Sequence, residues 1–192
     1  MKIKRLILVG LFTMVLVPVS ALAFFKPLRV MVPQVVSGVH CYNGGICTDD
    51  GNRLEEARVL YSAALARSSE KAGAFHSRPK VIFCASDSCL RSFGLGREAA
   101  HTVGDFGITV APRGWQTFYV AHEFIHYRQA EEFGNIGVLR KPSWLIEGMA
   151  YSLSEDPRRP LTQPFEGWRT KFESWNTPAH RGDLWPAAKN AE

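Results

Sequence analysis

Apolar positions recur along this chain with different spacings, and each spacing predicts a different element. Leu6 to Val19 is a nearly continuous apolar run. Arg29 to Val36 reads Arg-Val-Met-Val-Pro-Gln-Val-Val, which predicts a strand with Pro33 at an edge or bulge. Leu54, Ala57, Tyr61 and Leu65 fall three or four apart, with Glu55, Glu56 and Arg67 on the other face. That spacing predicts a helix over about 52–71, led in by Asp49, Asp50 and Gly51. Lys80 to Cys84 is a second short strand. Gly107 to Val110 is a third, with Ile108 and Val110 on one side and Thr109 on the other. Pro112 ends it, which suits an edge position.

Phe118, Ala121 and Ile125 then return to helical spacing, and no Gly or Pro interrupts the chain between Trp115 and Phe133. Gly134 stops that helix. Pro142 or Ser143 opens another, and Pro157 closes it. Phe165, Trp168, Phe172 and Trp175 share one face of a last amphipathic helix, and Trp168, Trp175 and Trp185 are expected to pack over the core. Residues 87–105 are Gly-rich and carry no clear period. The order predicts an α+β fold, a small mixed sheet packed on the helix of 115–133 with a further helix after it.

The first apolar run is preceded by Lys2, Lys4 and Arg5 and followed by Ala21-Leu22-Ala23, the pattern of a signal peptide cleaved after Ala23. The run is short for a membrane span, which needs about 20 apolar residues. Extended through Phe25 it would make an uncleaved anchor, the only membrane contact the sequence suggests. The organisation expected is residues 1–23 as signal, 24–160 as one domain, and 161–192 as a Trp- and Pro-rich extension packed on it. The location expected is periplasmic or secreted. Of 23 basic and 18 acidic residues, three basic ones and no acidic one lie in 1–23, leaving 20 against 18. No dense basic run argues for nucleic acid. Four cysteines suit an exported protein. Cys41 and Cys47 bracket a turn-like Tyr42-Asn43-Gly44-Gly45, and Cys84 and Cys89 bracket Ala85-Ser86-Asp87-Ser88, so the local pairs are the simplest of three connectivities.

The chemistry sits in the helix of 115–133. His122-Glu123-Phe124-Ile125-His126 is an H-E-x-x-H motif, which puts two imidazoles one turn apart with a carboxylate beside them. The flanking Tyr119, Val120, Phe124 and Ile125 predict a buried helix, where unpaired polar groups are costly and a metal is an economical partner. Three and six residues after His126 stand Gln129 and Glu132, where a metzincin carries Gly and His. A third ligand must therefore come from a separate element. Trp144-Leu145-Ile146-Glu147-Gly148-Met149-Ala150 supplies an acidic residue in a helical setting. These two segments resemble the gluzincin metallopeptidases, and the second is similar to the aminopeptidase branch. The likeness covers roughly residues 105–155.

The resemblance implies a reduced zincin-like domain and one Zn²⁺ per chain on His122, His126 and Glu147. It also implies Glu123 as the general base for water on the zinc. The expected activity is hydrolysis of peptide bonds in exported or envelope proteins, with a peptide or protein as the partner. The chain departs from the family's pattern in places. The linker between the segments is longer than in the aminopeptidase branch, Ile146 stands for its Asn, and Tyr151 for the Asp of thermolysin-like members. No motif for a substrate's free amino terminus is present, which favours endopeptidase action. Tyr151, one turn beyond Glu147, is a candidate donor to the oxyanion, and His180 is another. Ser154, Glu155 or backbone carbonyls are candidate partners for the ligand imidazoles. Gly148 would let the two ligand-bearing helices approach closely. In the resembled family the strand before the active helix, here 107–112, lines the cleft and pairs with extended substrate. Two other readings share the metal chemistry: hydrolysis of a non-peptide bond such as a cell-wall amide, and a zinc-binding module without catalysis. The small size also implies that a protein partner or a large substrate completes the cleft.

Overall fold

The computed structural model describes residues 25–178 and 182–191, and the signal-like segment and His180 lie outside them. The described chain is α+β, with a five-stranded mixed sheet and several helices. Its strands are β1 (His40–Tyr42), β2 (Ile46–Thr48), β3 (Val81–Phe83), β4 (Ala100–Val103) and β5 (Gly107–Val110). They lie in the order β1-β2-β3-β5-β4. β2, β3 and β5 run parallel, and β1 and β4 close the edges antiparallel to their neighbours. The helices are α1 (Leu54–Ala72), α2 (Asp87–Ser92), α3 (Thr117–Phe133), α4 (Ser143–Leu153), α5 (Phe165–Trp175) and α6 (Leu184–Lys189). A parallel pair needs a crossover, and α1 supplies the one between β2 and β3.

Alternation along the central strands divides the core. Ile46, Val81, Phe83, Ile108 and Val110 point to one face, where they meet Ala57, Tyr61 and Ala64 of α1 and Val120, Ala121 and Phe124 of α3. Cys47, Ile82 and Cys84 point to the other, where Val30, Leu90 and Phe93 cover them. A third cluster holds Ile125 of α3 against Leu145, Met149 and Leu153 of α4, Phe172 of α5 and Leu184 of α6. Helix α3 is therefore buried on opposite sides at once, which explains why its apolar positions run nearly all round it. Gly134 ends it at φ +75°, its amide donating to the Ala130 carbonyl.

Three expectations need correction. Residues 29–36 form two short 3₁₀ segments, Lys26–Met31 and Pro33–Val35, not a strand. Pro27 and Pro33 each open a segment at a fixed φ, and Val30 and Pro33 are the buried residues they present. Strand β5 is interior, not an edge. The unperiodic stretch 87–105 contains β4, which pairs Ala100–Val103 with Gly107–Val110 and takes the outer position. Gly148 serves a different contact from the one expected. A Cβ there would lie 2.3 Å from the Trp168 carbonyl oxygen and 2.9 Å from Phe172 Cβ, so the close approach is between α4 and α5.

The disulfides join Cys41 to Cys47 across the β1–β2 hairpin and Cys84 to Cys89 beneath the sheet. No helix among the described residues is long and apolar enough to cross a membrane.

Candidate metal centre

Helix α3 forms the floor of a cleft of about 610 Å³. Strand β4 walls one side, and α4 with the segment after it walls the other. The i, i+4 spacing brings the His122 and His126 Nε2 atoms to 3.0 Å. Glu147 projects from α4 so that Oε2 is 3.6 Å from His122 Nε2 and Oε1 is 3.6 Å from His126 Nε2. Donor atoms around a tetrahedral zinc, with bonds of about 2.0–2.1 Å, stand roughly 3.3–3.4 Å apart, and these separations bracket that value. His122, His126 and Glu147 thus form a group that could hold a metal ion.

The electrostatics of the group favour a cation. Burial disfavours the charged form of His126, yet the hydrogen bond and charge of Glu147, with the charge of Glu123, outweigh it and raise its pKa to about 9. Burial likewise opposes ionisation of Glu147, but its hydrogen bonds to the two imidazoles hold the carboxyl well below the usual carboxylate range. Positive charge is therefore stabilised where the three side chains converge. The donor set of two imidazole nitrogens and one carboxylate fits a divalent ion such as zinc.

One imidazole of this group is oriented by a residue that sequence reasoning did not single out. Gln129 Nε2 donates to the Ile146 carbonyl at 2.9 Å, which turns its Oε1 towards His126 Nδ1, also at 2.9 Å. An amide oxygen only accepts, so Nδ1 carries the hydrogen. In the neutral ring Nε2 then presents its lone pair to the site. Gln129 is fully buried, and the bridge ties the motif helix to the ligand helix. A signal was available: Gln129 follows His126 by three residues, on the same helix face.

Glu123 is 8 % exposed and lies beside the imidazoles. Thr102 of β4 places its hydroxyl 2.6 Å from Glu123 Oε2 and 3.0 Å from the Glu123 carbonyl oxygen. Thr102 was missed because β4 was. The three-residue Gly104-Asp105-Phe106 connection between two short runs was the hairpin signal that could have found it.

The Tyr151 ring packs on His122, with centroids 4.4 Å apart, and lines the cleft. Burial, then the charge of Glu147, pushes its phenol up to about 12. Neither Ser154 nor Glu155 reaches the imidazoles. Ser154 donates to the Tyr151 carbonyl, and Glu155 pairs with Lys71 and Arg67 on the far side of α4. The four cysteines lie apart from the cleft, in the disulfides.

Beyond Tyr151 the wall is completed by Arg158. Its guanidinium is paired with the buried Asp156, donates to the Tyr119 hydroxyl at 3.1 Å, and lies 4.8 Å from the Tyr119 ring centroid. The fully buried Arg169 of α5 donates to the Arg158 carbonyl at 3.0 Å and pairs with Glu166, which pins this segment to the domain. Compared with protein-family models, curated proteins and solved structures, the chain matches none.

Proposed function

We propose that this protein is a zinc-dependent peptidase with a gluzincin-type site on a reduced zincin-like scaffold. The observation that carries the reading is the convergence of His122, His126 and Glu147 from two helices, with Glu123 beside them at the floor of an open cleft. A purely structural metal site has no use for a second, buried carboxylate at its margin.

A zinc ion held by the three side chains would supply Lewis acidity, acidifying water and polarising a carbonyl. The chain's own residues do the rest. Glu123 takes the proton of the attacking water and returns it to the leaving amine. The Thr102 hydroxyl holds that carboxylate in one orientation. Tyr151, kept protonated by its raised pKa, is available as a hydrogen-bond donor to the oxyanion that develops at the carbonyl. Gln129 keeps His126 in the ligand tautomer. Edge strand β4 offers main-chain groups to an extended substrate lying along the cleft, the role that the sequence alone had given to β5. An open cleft, with no motif for a free amino terminus, favours internal cleavage.

The test is metal content and digestion of a casein and peptide-library mixture by the wild type and Glu123→Gln. The expected result is one zinc in each, and cleavage by the wild type alone. Zinc in both with cleavage by neither would sink the peptidase reading. No zinc in either would sink the ligand assignment.

A further inference from the structure

The cleft has two chemically different ends. Helix α4 runs back along α3, so that Ile146 meets Gln129, Glu147 meets the two imidazoles, and Tyr151 packs on His122. Arg158 follows, beside Tyr119 in the first turn of α3. Strand β4 runs the opposite way, from the start of α3 towards its end. Thr102 stands opposite Glu123, the turn after β4 is held by Asn135 beyond the end of α3, and Ala99 meets the Ala111 amide before its start.

The end near the start of α3 is cationic. Arg97, Arg113 and Arg158 line it, against Glu98, and the Asp156 partner of Arg158 is buried. Arg113 spends its guanidinium on the carbonyls of Gly96, Arg97 and Glu98, so its charge has no carboxylate partner within ion-pair distance among the described residues. The opposite end is apolar. Val138, Leu139 and Ile146 line it, Leu139 is 82 % exposed, and Ile136 in the same loop is 69 % exposed. Two large side chains so open to water, beside a cleft, mark a surface for an apolar ligand group. The loop that carries them is anchored. Asn135 accepts from the Asp105 amide and donates to the Asp105 carboxylate.

We propose that the cleft selects peptides with apolar side chains on one side of the metal centre and acidic ones on the other. The apolar group lies against Val138 and Leu139 and the acidic group against Arg97 and Arg113. Antiparallel pairing with β4 is the more stable arrangement, and it puts the apolar residues N-terminal to the acidic ones. The inference rests on the peptidase reading for the occupant of the cleft, but it is tested by binding rather than by turnover.

The experiment measures fluorescence anisotropy of end-labelled alanine-based peptides on the full chain carrying Glu123→Gln. One peptide has leucines in its N-terminal half and glutamates in its C-terminal half. A second replaces the glutamates with lysines, and a third reverses the order of the first. The first should bind about tenfold more tightly than the second, an electrostatic preference that falls with added salt. Arg97→Glu should turn that preference towards the lysine peptide, and Leu139→Asp should weaken both. Arg97 is exposed and Leu139 almost fully so, which leaves folding intact. Equal binding of the glutamate and lysine peptides, a preference that Arg97→Glu does not move, or no binding of any peptide would overturn the proposal. Binding of the reversed peptide as tightly as the first would overturn the antiparallel direction. Selective binding without cleavage by the wild type would remove the peptidase reading and leave this polarity standing.

Discussion

Gln129 offers the sharpest test of the proposed centre, because it touches His126, a proposed ligand, without being one. Its side chain is fully buried and makes two hydrogen bonds, to His126 Nδ1 and to the Ile146 carbonyl, each 2.9 Å. Gln129→Leu keeps the bulk and removes both. The His126 ring hydrogen then loses its partner, at about 1–3 kcal/mol for a buried group left unsatisfied, while the Ile146 carbonyl loses the bond to Gln129 but keeps its place in the helix. Helix α4 carries both Ile146 and Glu147, so the substitution loosens the third ligand as well. Loss of such a supporting bond to a ligand imidazole weakens metal binding about 10–100-fold.

Gln129→Glu separates the two effects. A carboxylate still accepts from His126 Nδ1 and makes the ring a stronger donor, but it gives no hydrogen to Ile146. Zinc affinity should then equal or exceed the wild type, while stability of the metal-free protein falls. Zinc competition against a chromophoric chelator gives the affinities, and urea unfolding with and without EDTA gives the stabilities. A Leu variant that holds zinc as tightly as the wild type would refute the tautomer argument. A Glu variant that loses zinc as badly as the Leu variant would show that the bond to α4, not the bond to His126, is what matters.

Other positions separate chemistry from packing. Thr102→Val keeps the shape of β4 and removes the hydroxyl at Glu123 Oε2, so kcat on a cleaved peptide should fall about tenfold, the worth of one good hydrogen bond, with zinc content unchanged. Gly148→Ala sets a methyl group against Trp168 and Phe172, and the overpacked α4–α5 contact should cost about 1–3 kcal/mol in urea unfolding. The Glu132 carboxyl is held below its ordinary 4.5: burial opposes this, and Lys189 and Arg128 outweigh it. A depressed carboxylate contributes stability above its unfolded pKa and loses it as pH falls through the folded one. Thermal stability should therefore drop on acidification below about pH 4.5, and Glu132→Gln should flatten that part of the profile and lower stability at neutral pH.

Much of the architecture was legible where one period dominates. The 3.6-residue spacing of α1 and the placing of Ile108 and Val110 about Thr109 in β5 reflect a face buried in one core cluster, whereas β3 and α3, buried on both sides, show as nearly unbroken apolar runs. Strand β4 was not legible. It is an edge strand of Ala100, His101, Thr102 and Val103, none of them buried, so no apolar alternation marks it. The segment 29–36 failed in the opposite way. Its valines look like a strand, but two prolines fix φ at the start of each 3₁₀ turn and only Val30, Pro33 and Val36 are buried. The pairing of His122 with His126 was readable because their spacing along α3 is local, and Glu147, on α4, was read from a second segment; the three come together as a group that could hold a metal ion. Gln129 and Thr102 act across α3–α4 and α3–β4, contacts that no local pattern records.

The centre is held by packing that lies outside it. His122, Glu123 and His126 face the cleft, while the residues between them are claimed by separate clusters, Phe124 by the sheet and Ile125 by α4, α5 and α6. Rotation of α3 that moved either imidazole away from the cleft would pull Phe124 or Ile125 out of its cluster. Glu147 is set in the same way, between Leu145 and Met149, both fully buried, with Gly148 locked against α5 on the side away from the cleft. Two helices packed on one another, and anchored further by the sheet and by α5, therefore present three donors to one point, and Gln129 adds a hydrogen bond between them. Packing rather than an ion is therefore expected to set the positions of the three donors. Metal removal should leave the fold cooperative, so that far-ultraviolet circular dichroism is unchanged by EDTA while the melting temperature falls with the loss of bound ligand alone.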